Sequence, residues 1–572
     1  MKTYRWSFAP IQLELARVLS QSAGISPLLA QCLLNREISE PAVAAEFLEP
    51  KLKNLRDPFL LPDMAKAVDR LYAARERNEL VVIFGDYDVD GVTSTTLLSE
   101  SLSQLGWKVE TYLPHRMDEG YGLSRDGVEN CLSRFPAKLL LAVDCGSTAV
   151  ETIAWLNERA VDVLVLDHHQ VSDPSPSAHA LVNPQRGDDK LSQMFCSAGL
   201  AFKLLHALVK RGRELGLPAM ATYDIRQYLD LVALGTVADL VPLRGENRVL
   251  VSHGLKALGE TKRPGLIALK EVSQTGAKVG VYEVGYQLGP RLNAAGRMEN
   301  ATQALDLMRA KSVAEALPLA RELDARNRER QETERGIAET AIANVRSRFN
   351  PERDYVIVEG EMMWHIGVVG IVASRVLREF YRPTIILGGS GDEWRGSGRS
   401  IEGFDLAAAL RSCEDILVKH GGHAMAAGLT IDPKMVETFR ARLNELAQKS
   451  IAPQDLQPRL SLDAEVRLSQ VDMNFLDALQ RLEPMGMGNV AVQLAARNLR
   501  LNGEPRRMGK EGQHVKLQVT DGVSMREVVW WGAGEAAMPS GVFDLAFSPQ
   551  KNEYNGRTTI QLKLLDWKAA KD

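Results

Sequence analysis

Between about residues 60 and 260, short apolar runs alternate with helical patterns: Leu80-Val81-Val82-Ile83-Phe84, then Lys138 to Val143, then Val161 to Leu166. Runs that are apolar at nearly every position must be covered on both faces. Strands separated by helices pair in parallel, so this stretch predicts an α/β domain built on a doubly wound parallel sheet. In such a sheet ligands bind beyond the carboxyl ends of the strands, and those ends are where chemistry should be sought.

The chain has 572 residues, too many for one hydrophobic core, and about three or four domains of ~100–200 residues each are expected. Residues 1–50 read as short helices with Pro-rich punctuation, and residues 51–265 hold the α/β pattern. Residues 266–350 form a linker containing a long connector helix. From Leu319 to Phe349 the chain is Pro-free and rich in Arg and Glu, enough for one helix of ~45 Å. Its first half is polar nearly all round, which suits a solvent-crossed connector. A second α/β domain is expected over 351–450, with strands at Tyr355 to Val358 and Thr384 to Leu387. The strand-rich remainder, 451–572, reads as a small β-barrel, with Tyr554-Asn555-Gly556-Arg557 as a hairpin turn.

Composition narrows the function classes. Hydrophobic residues make up 45% and charged residues 25%, values of a globular chain. No run approaches the ~18 apolar residues of a membrane span, and the opening Met-Lys-Thr-Tyr-Arg-Trp lacks a signal-peptide core, so a cytoplasmic location is expected. The five cysteines are scattered without a Cys-x-x-Cys pair and read as reduced thiols. With a net charge of −4, any polyanion must be held by local basic groups or by metal ions. There is no Gly-x-x-x-x-Gly-Lys-Ser/Thr loop to argue for a nucleotide-driven motor.

Four acidic segments follow strand or helix patterns in the first α/β region. Gly85-Asp86-Tyr87-Asp88-Val89-Asp90-Gly91 places three carboxylates within five residues, which repel one another unless cations offset them. The spacing mimics an EF-hand loop, but its twelfth position is Leu97 in place of a bidentate Glu. Leu140-Leu141-Ala142-Val143-Asp144 delivers one carboxylate at a strand end, where a lone Asp is often a helix cap. After Val163 to Leu166 come Asp167-His168-His169. Neighbouring residues on an extended chain point opposite ways, so one imidazole can ligate a metal while the other faces substrate. Asp239 sits in the apolar segment Leu234 to Pro242, and a buried carboxylate there needs a cation or donors. The set offers hard oxygens plus imidazole nitrogen, a mixture suited to two Mn²⁺ or Mg²⁺ ions, with Asp144 as the candidate bridge.

This ordered set resembles the DHH phosphoesterase superfamily, and within it the bacterial exonucleases specific for single-stranded DNA. Leu113-Pro114-His115-Arg116, Gly120 to Leu123, Gly289 to Arg297, Ser397-Gly398-Arg399-Ser400 and Gly421-Gly422-His423 extend the match over nearly the whole chain. The resemblance implies metal ligation by Asp144, His168 and Asp239 together with two of Asp86, Asp88 and Asp90, either Asp86 and Asp88 or Asp88 and Asp90. His169 would contact the scissile phosphate. Arg116, Ser397 and Arg399 would hold a 5′-phosphate, and Arg291, Asn293 and Arg297 would meet the strand. Gly421, Gly422 and His423 would contact the nucleotide in a DHHA1-like second α/β domain. The barrel would be an OB-fold with Glu483 to Asn489 near its entrance, and Arg506, Arg507, Lys516, Trp530, Trp531, Lys551 and Arg557 on its nucleic-acid surface.

The implied activity is 5′→3′ hydrolysis of single-stranded DNA to 5′-mononucleotides, in DNA repair and recombination. Its implied partners are single-stranded DNA, a single-strand-binding protein and a helicase. The rival expectation is a phosphoesterase of the same superfamily acting on oligonucleotides or small phosphate esters. The barrel and the connector argue against it, because small ligands need neither.

Overall fold

The structure is a computed structural model that describes residues 4–570 apart from 116–118, 121, 191, 299–301, 535 and 555. The chain divides into two compact units. The first gathers residues 40–327 with 481–491, and the second gathers 1–39, 328–480 and 492–572.

The first unit is the expected parallel sheet. Its strands are β1 (Leu80–Gly85), β2 (Lys108–Tyr112), β3 (Leu139–Val143), β4 (Asp162–Leu166) and β5 (Ala180–Val182), in the order β2-β1-β3-β4-β5 with every pairing parallel. Successive residues feed opposite faces. Val81, Ile83, Leu139 and Leu141 join one buried cluster, and Val82, Phe84, Leu140 and Ala142 join the other. This two-sided burial explains the uniformly apolar runs. The order reverses between β1 and β3, which makes the gap beyond their carboxyl ends the topological switch point. Two buried helices pack on the sheet, α1 (Val89–Gln104) and α2 (Ser197–Glu214), and a third, α3 (Leu229–Ala238), packs on both of them. A further helix, α4 (Gly289–Met298), follows a π-helical turn at Glu283–Leu288.

The connector is the helix α5 (Val313–Arg348), 36 residues long, and the boundary between the units falls within it. It starts before the expected Leu319 and takes in Pro318. Nor is its polar stretch solvent-crossed: Asp324, Asn327, Arg330 and Glu334 are all buried. Ion pairs offset the cost of this burial, Asp324 with Arg291, and Glu334 with Arg330 and Arg375. A helical wheel registers only that these residues are polar.

In the second unit five strands form a mixed sheet: β6 (Ile357–Gly360), β7 (Thr384–Gly388), β8 (Trp394–Arg399), β9 (Leu417–Gly422) and β10 (Ala426–Ile431), in the order β9-β10-β8-β7-β6. The first strand begins two residues later than expected, because the Tyr355 and Val356 amides donate to the Asn444 side chain. A helix, α6 (Val369–Phe380), packs on β7 and β8. Seven strands build the barrel: β11 (Ala464–Glu465), β12 (Leu494–Leu501), β13 (Arg506–Met508), β14 (His514–Thr520), β15 (Met525–Trp530), β16 (Phe543–Tyr554) and β17 (Arg557–Ala569). Their order is β11-β12-β16-β17-β15-β14-β13, and a β12–β14 pairing closes the sheet on itself. The expected hairpin joins β16 to β17, although Asn555 lies outside the described residues.

Two expectations need correction. Residues 1–50 are not one helical segment. Arg5–Phe8 is a strand paired in parallel with Arg459–Leu462, and the helix Pro41–Leu48 belongs to the first unit while those before it belong to the second. Residues 483–489, expected at the barrel entrance, pack within the first unit. There the buried Arg248 guanidinium donates to the carbonyls of Arg481, Leu482 and Glu483 as well as Phe47. One interior arginine thus gathers a segment that looks, by sequence position, like part of the barrel.

No helix among the described residues is long and apolar enough to cross a membrane, and all five cysteines are buried and free.

Candidate active site

The acidic segments converge at the switch point. After β1 the chain turns through Asp86 and Asp88 into α1, where the Asp88 side chain caps the helix by accepting from the Gly91 amide at 3.0 Å. Gly91 is forced here, since a Cβ would lie 2.4 Å from the Asp86 carbonyl oxygen. Asp90, in the first turn of α1, is fully buried. It accepts from the backbone amides of Ser197 and Ala198 at 2.7 and 2.8 Å. Those amides open α2, so the positive end of that helix faces the carboxylate. Asp144 follows β3 in the left-handed conformation (φ 64°), and the Ser197 hydroxyl donates to it at 2.9 Å. Asp239 closes α3 at its C-cap.

His168 joins the three. Its Nε2 lies 3.5 Å from Asp144, 3.6 Å from Asp239 and 3.9 Å from Asp90. Two ligand triads with the reach to hold a cation overlap at His168: Asp144-His168-His169 and Asp90-His168-Asp239. His168 Nε2 and Asp239 Oδ2 are buried with no hydrogen-bond partner among the described residues. Buried polar atoms left this way are costly, and here they aim at one point shared by several carboxylates, an arrangement that fits a divalent cation.

The electrostatics agree. Without a cation, burial and the neighbouring Asp88 push Asp90 up to about 7, and burial and Asp90 push Asp239 up to about 9. Asp144 is raised well above the usual carboxylate range for the same two reasons, burial and Asp90. Burial and the charge on His169 lower His168 to about 4, leaving it a neutral ligand. His169 behaves oppositely. Burial alone would lower it, but its 2.7 Å contact with Asp167 outweighs that and raises it to about 9, so it is an imidazolium at neutral pH. Asp167, also bonded to the Ser147 amide, is held below the carboxylate range despite its burial. Asp167 therefore orients His169, the imidazole that the resemblance assigns to phosphate, and not the metal-facing His168.

Asp86 is buried and bonds to the Tyr87 amide, and it lies outside both triads. Asn293 serves the loop: its Oδ1 accepts from the Val89 amide at 3.1 Å. Arg291 is committed to Asp324 at 2.9 Å and to the Gln287 carbonyl. Arg116 lies outside the described residues, as does the side chain of Arg297 at the end of α4.

The remaining candidates belong to the second unit. Ser397 and Arg399 end β8, where Arg399 donates to the Ser397 hydroxyl at 3.0 Å. It is half-buried and forms no ion pair among the described residues. Gly370, in the first turn of α6, abuts both: a Cβ there would sit 2.9 Å from Ser397 Oγ and 3.1 Å from Arg399 Nη2. Gly421, Gly422 and His423 lie exposed at the end of β9, and Gly422 has φ 136°. On the barrel Trp530 is buried and Trp531 half-exposed. Lys516 and Lys551 are paired with Glu527 and Asp477, which leaves Arg506 and Arg557 as the freer cations of the expected surface.

Sequence reasoning missed Ser197, Gly370 and Gly235. A Cβ on Gly235 would come within 2.9 Å of Asp90 Oδ1. Only Ser197 left a signal, a small polar residue opening a long helical pattern.

Three family models match the chain: the DHH family N-terminal domain over residues 80–236, the DHHA1 domain over 353–449 and the RecJ OB domain over 462–566. The fold and the acidic cluster thus define a phosphoesterase of the DHH type with a companion domain and a barrel. Two relatives, each named single-stranded-DNA-specific exonuclease RecJ, lead to the narrower group. The Bacillus subtilis protein is 35% identical over 98% of this chain and 70% of its own length. The Escherichia coli protein is 34% identical over 94% and 95%. The crystal structure of RecJ from Thermus thermophilus in complex with Mn²⁺ superposes with a TM-score of 0.85 at 29% identity, covering 100% of this chain and 80% of that one. Its complex with Mg²⁺ gives 0.78 at 28% identity, over 100% and 79%. The chain belongs to the RecJ family.

Proposed function

We propose that this protein is a single-stranded-DNA-specific exonuclease that degrades from the 5′ end and releases 5′-mononucleotides. The observation that carries the chemistry is the buried convergence of Asp90, Asp144, His168 and Asp239 around unpartnered ligand atoms. Its cofactors are two divalent ions, Mn²⁺ or Mg²⁺, the ions present in the Thermus complexes. When bound, such a pair supplies a nucleophile at neutral pH and Lewis-acid stabilisation of the leaving oxygen.

The side chains divide the remaining work. Asp144, which shares His168 with both triads, would hold the ions at the centre of the cluster. Asp90, His168 and Asp239 complete the ligand set, joined by Asp88 from the loop. His169, cationic and half-exposed, donates its free Nε2–H to a non-bridging oxygen of the scissile phosphate. In the second unit Arg399 and Ser397, beside the first turn of α6, take the 5′-phosphate. A guanidinium without a carboxylate partner and a helix N-terminus both favour an anion. Arg297 meets the strand on the family resemblance, whereas Arg291 and Asn293 act through their bonds to Asp324 and to the Val89 amide, and Gly421, Gly422 and His423 offer close backbone approach to a nucleotide. We propose a role in repair and recombination, with a single-strand-binding protein and a helicase as partners, on the family resemblance alone.

Incubation with Mn²⁺ and strands labelled at either end, single or duplex, tests this. Mononucleotides should appear from the 5′ end of single strands first. Release from the 3′ end, or equal attack on blunt duplex, would overturn the polarity or the strand preference.

A further inference from the structure

Tyr282 and Tyr286 are 62% and 71% exposed, and their rings stack on each other with centroids 5.0 Å apart and planes 26° apart. They flank and occupy the π-helical turn Glu283–Leu288, a geometry that is rare and often found at functional sites. This turn leads directly into α4, which is packed tightly on the catalytic loop. A Cβ on Gly289 would sit 3.7 Å from the Ala238 side chain, one on Gly296 would meet the Tyr87 carbonyl oxygen at 2.9 Å, and Asn293 bonds to Val89. The turn that carries the pair therefore adjoins the segments that carry Asp88, Asp90 and Asp239.

Two more exposed apolar side chains adjoin this packing. Leu240 follows Asp239 in the left-handed conformation and is 66% exposed. Met487 is also exposed, and its carbonyl accepts from the Leu243 amide at 2.8 Å. A Cβ on Gly486 beside it would sit 2.8 Å from the Leu243 side chain and 3.5 Å from that of Val281, the neighbour of Tyr282. Arg248 pins this strip to the unit. Leu240 lies within the stretch from Ala238 to Leu243 that carries Asp239, and the segments of the other three side chains adjoin that stretch.

A stacked, solvent-facing aromatic pair leaves apolar surface in water until a flat partner covers it. Unpaired nucleobases are such a partner, since every base offers a π-face. In a duplex those faces are already stacked on one another. We propose that Tyr282 and Tyr286, flanked by Leu240 and Met487, form a stacking platform for unpaired bases of the strand cleaved at the adjacent cluster, and that it contributes to selection of single strands over duplex. This rests on the nuclease reading above.

The test uses full-length protein carrying Asp144→Asn, with Mg²⁺ and a 5′-phosphorylated oligonucleotide containing 2-aminopurine. Adding Tyr282→Ala and Tyr286→Ala together should weaken binding about 10- to 100-fold and abolish 2-aminopurine quenching. The salt dependence should not change, because phosphate contacts are retained. Tyr282→Phe with Tyr286→Phe should restore binding. An otherwise identical abasic strand should bind the alanine and tyrosine forms alike. Unchanged affinity in the alanine form, or equal loss on the abasic strand, overturns the platform. Cleavage of labelled strands by protein with Asp144 intact is scored separately. If that activity is absent the nuclease reading fails, whereas normal cleavage with unaltered binding by the alanine form sinks the platform alone.

Discussion

The two α/β sheets meet the problem of a phosphate-bearing ligand with opposite electrostatics. In the first unit, negative charge is concentrated and buried. Asp90 and Asp144 are almost inaccessible, burial and mutual repulsion favour their protonated forms, and His168 is neutral. In the second, the Ser397–Arg399 strand end is half-open, carries an arginine with no carboxylate partner among the described residues, and sits at the start of α6. The first arrangement attracts an anion only after cations enter it, and the second attracts one directly. Chemistry and end recognition should therefore be separable by mutation, metal and pH.

The sharpest separation is expected from Asp144→Asn. Losing the central carboxylate should lower kcat by about 10³-fold or more, as for removal of a group that stabilises developing charge. The same change removes repulsion from a buried cluster, so the Tm of chelated protein should hold or rise. A kcat within ten-fold of the parent would break the contrast. Arg399→Ala should act in the other way. Loss of a charge-assisted contact should raise KM for 5′-phosphorylated strands by about 10- to 100-fold, with little effect on kcat or on strands ending in 5′-OH. Equal effects on the two ends would remove its assigned role.

The sheet and its chemistry were legible for one reason. Burial on both faces writes a strand as an apolar run, and acids placed directly after such runs stand out. Asp144 and His168 were found this way, and three of the five strands lie within two residues of their expected bounds. The edge strands β2 and β5 were missed. One is short, and Lys108 and Glu110 leave the other half-polar. What the sequence concealed are interactions between distant positions. Arg248 draws residues 481–491 into the first unit, and the Arg291–Asp324 pair buries part of a helix that looks fully solvated. Gly370 gives no local sign of supporting Arg399.

Metal and pH sharpen the comparison further. Ordinary carboxylates titrate near ~4, and Asp90 and Asp239 are raised to about 7 and about 9. The folded, metal-free chain thus retains protons that the unfolded chain has released, and its stability should fall as pH rises from ~4 through 9. Divalent ions bind the deprotonated cluster, so the increase in Tm on adding Mg²⁺ should be larger at pH 8.5 than at pH 6. Thermal unfolding with Mg²⁺ or a chelator at both values checks this. A metal effect independent of pH would mean that the carboxylates are not the ligands.

The smallest effect is expected on the barrel. Trp530 is buried in it, while Trp531 packs edge-on against His514 at 4.8 Å and leaves about half its surface exposed. A ring partly committed to a neighbour offers a base less than a full face. Trp531→Ala should therefore weaken binding to long single strands by only about five-fold, the low end for a stacking contact. Very short strands should be cleaved at the parent rate, because no group of the cluster has changed. An equal loss on short and long strands would show that Trp531 acts through the fold of the second unit, and the barrel would then share in the chemistry that the comparison assigns to the first.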